Sequence, residues 1–235
     1  MISFIGDPHG HFEDIISTAL EQRPKALVLL GDLDLERPLT QELKAVRDAG
    51  IQIHWIPGNH DGDRDEWYAN LFGGHAGGLN LHGRVVEIAG QRVAGLGGVF
   101  REQVWRPPAE PVLRKRSQML AKCSTGSKLQ SWRAVHETMP GLPRRHRVSI
   151  WPEDYERLSQ QQADILVCHE APSCHRCGFA VIDQLAEAMG AQLIVHGHHH
   201  RDYAAVLPSG IRVIGVGMSG ITNEDGQILL PGRGR

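Results

Sequence analysis

The chain has 235 residues, of which 41% are hydrophobic, and a formal net charge of −2, so it is long enough for one large α/β domain with a buried core. No apolar run approaches the roughly 20 residues that span a bilayer, and the opening lacks a signal-peptide pattern, which excludes a membrane protein and predicts a cytoplasmic one. The nearly neutral charge indicates no particular partner. The cysteines, without a secretion signal, are expected to be reduced thiols, namely Cys123, Cys168, Cys174 and Cys177.

Short apolar runs alternate with amphipathic stretches along the chain, which is typical of βαβ units with a largely buried sheet. The pattern predicts strands over 2–5, 26–30, 51–56, 164–167 and 192–195, and helices over 12–22, 40–50, 152–162 and 180–190. The stretch 85–98 is predicted to be a hairpin that turns at Gly90, and it interrupts the parallel series, so a mixed sheet is expected. The runs 203–210 and 211–217 are predicted to close the chain as two antiparallel strands.

The segment at about 101–150 differs from the rest of the chain. It carries eleven Lys and Arg residues against three Glu, a net charge of +8, together with scattered prolines and weak periodicity. We interpret it as a basic insertion in a single domain that spans residues 1–235. Three roles are open for it: a solvated loop, a lid whose arginines clamp a phosphate, or a track for the backbone of RNA or DNA. Aromatic side chains for base stacking are few, namely Trp105, Trp132 and Trp151.

Polar side chains follow five of the predicted strands at the point where each strand ends. The strands at 2–5, 26–30, 51–56, 164–167 and 192–195 lead into GDPHG, GDLD, PGNHD, CHEAP and HGHHH. Because the carboxyl ends of strands form the ligand-binding crevice of α/β sheets, residues that are far apart in sequence can meet there. The sequence therefore predicts one functional site at this edge.

The residue types at this edge indicate metal binding. Imidazoles and carboxylates suit divalent zinc, manganese or iron, whereas a thiolate-rich set would indicate a structural zinc or an iron–sulfur cluster. The candidates exceed what one ion needs if it is also to keep a position for water, so two divalent metal ions that share a bridging carboxylate fit better. The seven candidates are Asp7, His9, Asp32, Asn59, His169 and two histidines of the cluster at 196–200.

The motifs GDPHG, GDLD, GNHD, CHE and GHHH, in this order, resemble the five signature motifs of the calcineurin-like metallophosphoesterase superfamily, and the resemblance spans residues 6–200. It implies a metallophosphoesterase-type α/β/β/α sandwich of two mixed sheets with a binuclear metal centre at its upper edge. The ligand set that it implies is Asp7, His9 and His200 for one ion and Asn59, His169 and His198 for the other, with Asp32 as the bridge. His199 is then the variable residue of the last motif, and His196 precedes that motif.

The second motif departs from one subgroup of this superfamily. Phosphoprotein phosphatases and diadenosine-tetraphosphate hydrolases, which share the opening of GDPHG, follow Gly-Asp with an Asp-Arg-Gly whose arginine grips the phosphate. Here the sequence runs GDLDLERP, and Arg37 is displaced by one position. The phosphate-gripping arginine of that subgroup therefore has no counterpart at its usual place.

The predicted reaction is hydrolysis of a phosphate ester by attack of a metal-bridging hydroxide, since two ions neutralise the phosphate oxygens and lower the pKa of a shared water. His60 follows Asn59 directly and is predicted to protonate the leaving oxygen, with Asp61 orienting its imidazole; otherwise His60 is a further ligand or a surface residue. We expect a phosphomonoesterase that acts on a nucleotide, a small phosphate ester or a phosphoprotein. The alternatives are a phosphodiesterase or nuclease acting on a cyclic nucleotide, RNA or DNA, and a non-catalytic metal-binding module, against which the presence of His60 argues.

Overall fold

Short strands form two mixed sheets in the computed structural model, which describes residues 1–124 and 141–233. The first sheet contains β1 (Ile2–Ile5), β2 (Ala26–Leu29), β3 (Gln52–Trp55), β10 (Ile221–Asn223) and β11 (Ile228–Leu230). Its strand order is β11-β10-β1-β2-β3. Strands β1, β2 and β3 are parallel, whereas β10 lies antiparallel to both β1 and β11.

The second sheet has a parallel centre and antiparallel edges. It contains β4 (Val85–Ile88), β5 (Gln91–Leu96), β6 (Ile165–Cys168), β7 (Leu193–His196), β8 (Tyr203–Val206) and β9 (Arg212–Gly215). Its strand order is β4-β5-β6-β7-β9-β8, with β5, β6, β7 and β9 parallel to one another. The hairpin predicted around Gly90 is the antiparallel pair of β4 and β5, so the prediction of a mixed sheet is confirmed.

Helices cover the outer faces of the two sheets. They are α1 (Glu13–Gln22), α2 (Leu39–Glu42), α3 (Lys44–Asp48), α4 (Asp65–Phe72), α5 (Arg116–Ser124), α6 (Arg144–Arg147), α7 (Pro152–Ser159) and α8 (Ala180–Met189). Two 3₁₀ turns, His60–Gly62 and Gly74–Leu79, follow β3. In residues 1–124 and 141–233, no helix is both long enough and apolar enough to cross a bilayer.

Alternate side chains of each strand pack into different layers of the core. Phe4 and Val28 lie in the core between the two sheets, whereas their neighbours Ile5 and Leu29 pack under the helices of the first sheet. This division follows from the two-residue period of a strand, which sends successive side chains to opposite faces. A third core lies between the second sheet and helices α7 and α8. The layers are therefore helix, sheet, sheet and helix, which confirms the predicted α/β/β/α sandwich.

Two parts of the sequence prediction differ from the structure. The helix predicted over 40–50 is divided into α2 and α3 at Leu43, whose φ of −99° and ψ of 27° depart from helical values. This bend keeps both short helices packed on the first sheet. The two antiparallel strands predicted over 203–210 and 211–217 are confirmed as β8 and β9. The prediction that they close the chain is wrong, since β10 and β11 follow them and extend the first sheet. These two strands have three residues each, which is too short for an apolar pattern to stand out.

The described flanks of the segment 101–150 are anchored in the core by a few side chains, while many of their other side chains are exposed. Residues 101–124 and 141–150 contribute no named strand, yet Val104, Leu113 and Ile150 are buried in the outer core of the second sheet. Residues 125–140, which include three of the charges and Trp132 of the sequence prediction, lie outside the described residues. That the whole chain is one domain with this insertion stays a prediction.

Asp154 on α7 connects this segment to the sandwich. Its buried carboxylate accepts hydrogen bonds from Arg116 at 2.5 Å and Arg157 at 2.7 Å, and it contacts His82 Nε2 at 3.1 Å. Burial opposes ionisation of Asp154, but His82 and Arg116 outweigh burial and hold the pKa of this carboxyl well below its usual range. The ionised carboxylate therefore joins three parts of the chain.

Replacing Asp154 with Asn should lower the free energy of unfolding at pH 7 by about 3 kcal/mol, because it leaves the buried side of an ion-pair cluster without its negative charge. A carboxyl whose pKa is lower in the folded than in the unfolded state stabilises the fold above its unfolded pKa of about 4, and this stabilisation is lost as the pH falls toward the folded pKa. In urea unfolding, the difference between the wild type and Asp154→Asn should therefore shrink from about pH 5 downward.

Asp48→Asn is the matched control for this prediction. Asp48 pairs with Lys44 on an exposed helix surface, so its replacement should change the free energy of unfolding by less than about 0.5 kcal/mol. Equal effects of the two substitutions, or a difference for Asp154→Asn that does not depend on pH, would contradict the role of the buried carboxylate.

Candidate metal centre

Loops that follow five strands, three from the first sheet and two from the second, meet at one edge of the sandwich. The loops after β1, β2 and β3 carry Asp7, Asp32 and Asn59, and the residues after β6 and β7 include His169 and His198. Ligand atoms of Asp32, His169 and His198 lie within 4.8 Å of one another. Because the sheets are stacked with these strand ends together, residues from both halves of the sequence share one site, as the strand-end pattern predicts.

The backbone of this site is strained. Among the described residues, nine that are not glycine have a positive φ angle, and five of these nine are predicted metal ligands. These five are Asp7, His9, Asp32, His198 and His200. Residues other than glycine rarely adopt this conformation, and where they do it usually marks a functional site whose surroundings hold the chain in place. The strain therefore singles out the same residues that the motifs do.

His9 and His200 face each other through their ring nitrogens. The His9 Nδ1–H donates to Asp34 Oδ2 at 2.9 Å, which directs the Nε2 atom of His9 toward His200. This Nε2 lies 3.2 Å from Nε2 of His200. A carboxylate on the far nitrogen of an imidazole is the usual support for a metal ligand, because it fixes the tautomer and the ring orientation. Asp34 belongs to the GDLD motif, but this supporting role was not predicted from the sequence.

A second group of donors surrounds His169. Its Nδ1–H donates to the carbonyl of Leu30 at 2.7 Å, which directs its Nε2 toward the centre. That Nε2 lies 3.2 Å from Oδ1 of Asn59 and 3.4 Å from Oδ2 of Asp32. Burial lowers the pKa of His169, but the Asp32 carboxylate outweighs burial and raises this pKa to about 10, so a proton on Nε2 can bridge to these oxygens where a divalent ion would displace it. The arrangement fits a divalent ion held by Asp32, Asn59 and His169, with His198 next to it.

Asp7 lies beneath both groups and is fully buried. Both of its carboxylate oxygens accept the backbone N–H of His198 at 2.9 Å. Burial raises the pKa of Asp7 to about 7, and the Asp32 carboxylate contributes to this increase. Burial also opposes ionisation of Asp32, but the neighbouring His169 outweighs it and lowers the pKa of Asp32. Two buried carboxyl groups beside histidine imidazoles have the composition of a site for borderline divalent metals.

His60 lies beside this site, but its acidic partner differs from the predicted one. Its Nδ1 pairs with Oδ2 of Asp63 at 2.8 Å, and its ring lies 5.2 Å from the ring of His9. Asp61, predicted to orient His60, is instead buried and accepts backbone N–H groups of Asp32, Leu33 and Gly58 at 2.7–3.0 Å. The 3₁₀ turn at His60–Gly62 is the physical reason, because it points these neighbouring side chains in different directions.

Two further polar residues at the site were not predicted from the sequence. Glu170 is buried, accepts the N–H of Phe100 at 3.0 Å and lies 3.8 Å from Nε2 of His198. Burial raises the pKa of Glu170 to about 6. Arg101, from the basic segment, lies close enough to Glu170 to affect this ionisation. Glu170 could have been identified from the sequence, because it directly follows a predicted ligand in the CHE motif. No local signal distinguishes Arg101 from the other arginines of its segment.

The four histidines of HGHHH have different surroundings. His198 and His200 face the two donor groups already described. His196 is buried away from the centre and contacts the hydroxyl of Tyr203 at 2.6 Å. His199 turns toward His175, with the ring centroids 3.9 Å apart. Residues 197–200 lie beyond the end of β7, and the positive φ angles of His198 and His200 rather than strand alternation turn these two side chains toward the centre.

An α/β/β/α sandwich with buried aspartates, asparagine and histidines at the ends of its strands defines a class of metal-dependent hydrolase. Residues 1–202 match the family model of the calcineurin-like phosphoesterases, and the chain belongs to this family. The family is typically dependent on two metal ions, and the described residues include two overlapping groups of possible ligands: Asp32, His169 and His198, and Glu170, His198 and His199.

Known proteins resemble this chain along most of its length. An uncharacterised protein of Haemophilus influenzae is 40% identical over 230 residues, which cover 98% of this chain and 96% of that protein. A solved structure from Thermus thermophilus has a TM-score of 0.59 and 14% identity, covering 97% of this chain and 96% of its own. A dimetal phosphatase from Danio rerio has a TM-score of 0.51 and 12% identity, covering 93% of this chain and 87% of its own. The likeness to both solved structures is one of fold.

Gly58→Ala should disrupt the site while leaving the sandwich folded. A Cβ atom at Gly58 would lie 2.2 Å from Oδ1 of Asp32 and 2.6 Å from Cε1 of His169, so the donors around His169 must move apart. We expect the affinity for Mn²⁺, measured by isothermal titration calorimetry on metal-depleted protein, to fall about 10- to 100-fold or more.

Gly78→Ala is the control for Gly58→Ala, since a Cβ atom there meets nothing within 4 Å. Its affinity for Mn²⁺ should equal that of the wild type. Unchanged affinity in Gly58→Ala, with circular dichroism confirming the fold, would show that these donors do not hold a metal ion.

Proposed function

We propose that this protein is a phosphomonoesterase that uses two divalent cations to hydrolyse a small phosphorylated molecule. The main support is a pair of arginines, Arg101 and Arg145, whose guanidinium groups are close to the candidate metal centre and have no ion-pair partner within residues 1–124 and 141–233. A phosphomonoester carries about two negative charges near neutral pH, one more than a diester. Cations beyond the metal ions therefore favour the monoester.

The donor groups described above are the proposed ligands of the cations. When bound, the two ions would neutralise the charge of the phosphate oxygens and activate a water molecule for attack. Manganese, iron and zinc suit this mixture of imidazole and carboxylate donors. The proposed ligands are Asp7, His9, Asp32, Asn59, His169, His198 and His200.

The backbone brings Arg101 to the edge of this centre. The N–H of Gly98 donates to the carbonyl of Pro57 at 2.6 Å, which holds the chain after β5 against the loop of Asn59. The N–H of Phe100 donates to Glu170 at 3.0 Å, which fixes the next residues against the loop after β6. Arg101 follows directly, so its side chain begins between the two loops.

The guanidinium of Arg101 is half-buried and incompletely paired. Its Nε atom is buried without a hydrogen-bond partner among the described residues. Burial and the nearby Arg145 lower the pKa of Arg101, while Asp63 and Glu170 oppose this decrease. A buried donor without a partner costs roughly 1–3 kcal/mol, and an oxygen of a bound phosphate would supply the missing acceptor.

Arg145 approaches the same region from α6. This helix packs on the turn that carries His60, since a Cβ atom at Gly62 would lie 2.7 Å from Cγ2 of Val148. The Nε–H of Arg145 donates to Nε2 of His146 at 3.3 Å. Burial lowers the pKa of His146 to about 4, and Arg145 contributes to this decrease, so His146 adds no charge that would repel the guanidinium at neutral pH.

Arg101 and Arg145 are proposed to bind the phosphate in place of Arg37. Both Nε and Nη2 of Arg37 donate to the carboxylate of Glu42, on an exposed part of the chain. Its charge is therefore neutralised away from the centre. We assign the phosphate-gripping role to Arg101, with Arg145 behind it, because planar guanidinium groups bind phosphate oxygens in pairs.

A phosphodiesterase or nuclease is the second candidate function, and the nucleic-acid partner expected for the segment 101–150 belongs to it. Much of the charge of that segment is already paired: Arg114 with Glu110 and Glu156, and Arg116 with Glu153 and Asp154. Fewer cations are thus available to a phosphate backbone than the sequence count indicates. The ion pairs favour the smaller substrate.

His60 is the proposed acid for the leaving oxygen, and His60→Ala should reduce kcat for a poor leaving group such as an alkyl phosphate by about 10² to 10⁴. The loss should be much smaller for p-nitrophenyl phosphate, whose leaving group needs no proton. Bound metal should be unchanged. The exposed His75 is the control, and His75→Ala should behave as the wild type. Equal losses on both esters, or loss of metal from His60→Ala, would reject the acid role.

Steady-state kinetics with p-nitrophenyl phosphate and bis-p-nitrophenyl phosphate, each with manganese, zinc or magnesium, test the proposal directly. We expect the monoester to be hydrolysed faster. Arg101→Gln should lower kcat/KM for the monoester about 10- to 150-fold, because a charge-assisted hydrogen bond is lost, and should affect the diester less. Arg92→Gln, at the start of β5 and paired with Asp164, is the control and should change neither. A preference for the diester would favour the second candidate, and hydrolysis of neither ester would favour the non-catalytic module.

A further inference from the structure

A pocket of about 490 Å³ opens beside the candidate metal centre. Its walls come from residues 174–177 after β6 and from residues between 199 and 203 after β7. His199 lines the pocket, and its ring lies 4.8 Å from the ring of His198, a proposed metal ligand. The volume suits a small organic molecule, and His199 connects the pocket to the proposed metal ligand His198.

Planar groups line this pocket. The rings of His175 and His199 are stacked, with centroids 3.9 Å apart and an angle of 21° between their planes. The ring of Tyr203 is inclined by 28° to that of His175. Two further lining residues, Arg176 and Arg201, carry planar guanidinium groups. Histidine and tyrosine rings and guanidinium planes are the groups on which proteins stack heterocyclic bases.

Tyr203 is held in place by His196. The Nδ1–H of His196 donates to the carbonyl of Gly197 at 2.8 Å, so its Nε2 accepts the hydroxyl hydrogen of Tyr203, 2.6 Å away. On its other side the Tyr203 ring lies on the backbone of β9, where a Cβ atom at Gly215 would be 2.2 Å from Cε1. Because the ring is already fixed, a ligand does not have to order it on binding.

The polar groups of the pocket favour an electron-rich ligand. Burial lowers the pKa of His175, and Arg176 and Arg201 both contribute, so the two guanidinium groups are close to this ring. Neither arginine forms an ion pair with any residue in 1–124 or 141–233. The carboxylate of Asp202 is occupied, since it accepts the backbone N–H groups of Gly217 and Gly232 at 2.7 Å.

His199 adds an independent observation. Its Nε2 atom is buried and has no hydrogen-bond partner among the described residues. A buried polar atom of this kind calls for a partner, which a ligand in the pocket that His199 lines or an ion beside Glu170 and His198 would supply.

We infer that this pocket binds the base of a nucleotide whose phosphate lies at the candidate metal centre, an inference that rests on the proposed function. The base stacks on the rings and guanidinium planes, and acceptor atoms on its edge receive hydrogen bonds from the arginines. A sugar without a base offers no flat face to these groups, and an aliphatic chain would leave the arginines and His199 without polar partners.

Nucleotides and ribose 5-phosphate share the phosphate and the sugar, so comparing them isolates the base. We expect kcat/KM for guanosine and adenosine 5′-monophosphates to exceed that for ribose 5-phosphate about 5- to 100-fold. In His175→Ala and Arg201→Gln this ratio should fall toward one. Arg201→Lys should recover it only partly, because an ammonium group keeps the charge but lacks the plane. Arg92→Gln is the control and should keep the wild-type ratio.

Binding of a nucleoside without a phosphate gives a readout that does not depend on hydrolysis. Guanosine or adenosine, titrated into the wild type by calorimetry, should bind, and binding should weaken about 5- to 100-fold in His175→Ala. Circular dichroism of each variant verifies the fold.

The possible failures are distinguishable. If ribose 5-phosphate is hydrolysed as efficiently as the nucleotides and nucleosides do not bind, the inference about the pocket is overturned while the proposed function stands. If no phosphomonoester is hydrolysed with any of the three metals, the proposed function fails, and nucleoside binding alone decides whether the pocket recognises a base.

Discussion

Two carboxylates, Asp7 and Asp32, are buried at the ends of neighbouring parallel strands. The other groups of the site offset the free-energy cost of burying them. A buried charge is destabilising by several kcal/mol unless hydrogen bonds and opposite charges offset it. Asp7 accepts the N–H of His198, and Asp32 accepts the N–H of His60 at 2.7 Å, so each carboxylate holds the backbone of another motif. The positive φ angles of both aspartates and the close approach of Gly58 follow from this convergence.

The acidic residues around the centre have separate tasks that their positions decide. Asp61 organises backbone N–H groups, Asp34 sets the tautomer of His9, and Asp63 pairs with His60. Each of these interactions holds an imidazole ring or a loop in a defined orientation before any ion binds. Such preorganisation is what a metal site needs, because ligands that are held in place do not lose conformational freedom when the ion arrives.

The net positive charge of the basic segment does not show which of its arginines face the site. Arg114 and Arg116 are paired with carboxylates on or near α7, where they attach the segment to the second sheet. Arg101 and Arg145 lie instead where the segment meets the loops after β5 and β3, without ion-pair partners in the described ranges. Some positive charges of the segment therefore stabilise the fold, and others are available to bind substrate.

The sequence alone determined the alternation of strands and helices, the edge that carries the site and the residues that converge there, because strand periodicity and the polar residue after each strand are local patterns. The α/β/β/α sandwich followed from the resemblance of the five motifs to a known family, not from periodicity. It did not determine that Asp63 rather than Asp61 pairs with His60, since a 3₁₀ turn redirects the two side chains. The strand β10 was missed because its partner β1 lies more than 200 residues earlier in the chain, and β11 because it pairs only with β10. Only the tertiary structure decided which arginines face the centre and that His199 and Tyr203 border a pocket in which His196 holds Tyr203, because these contacts join loops of different strands and leave no periodic trace in the sequence.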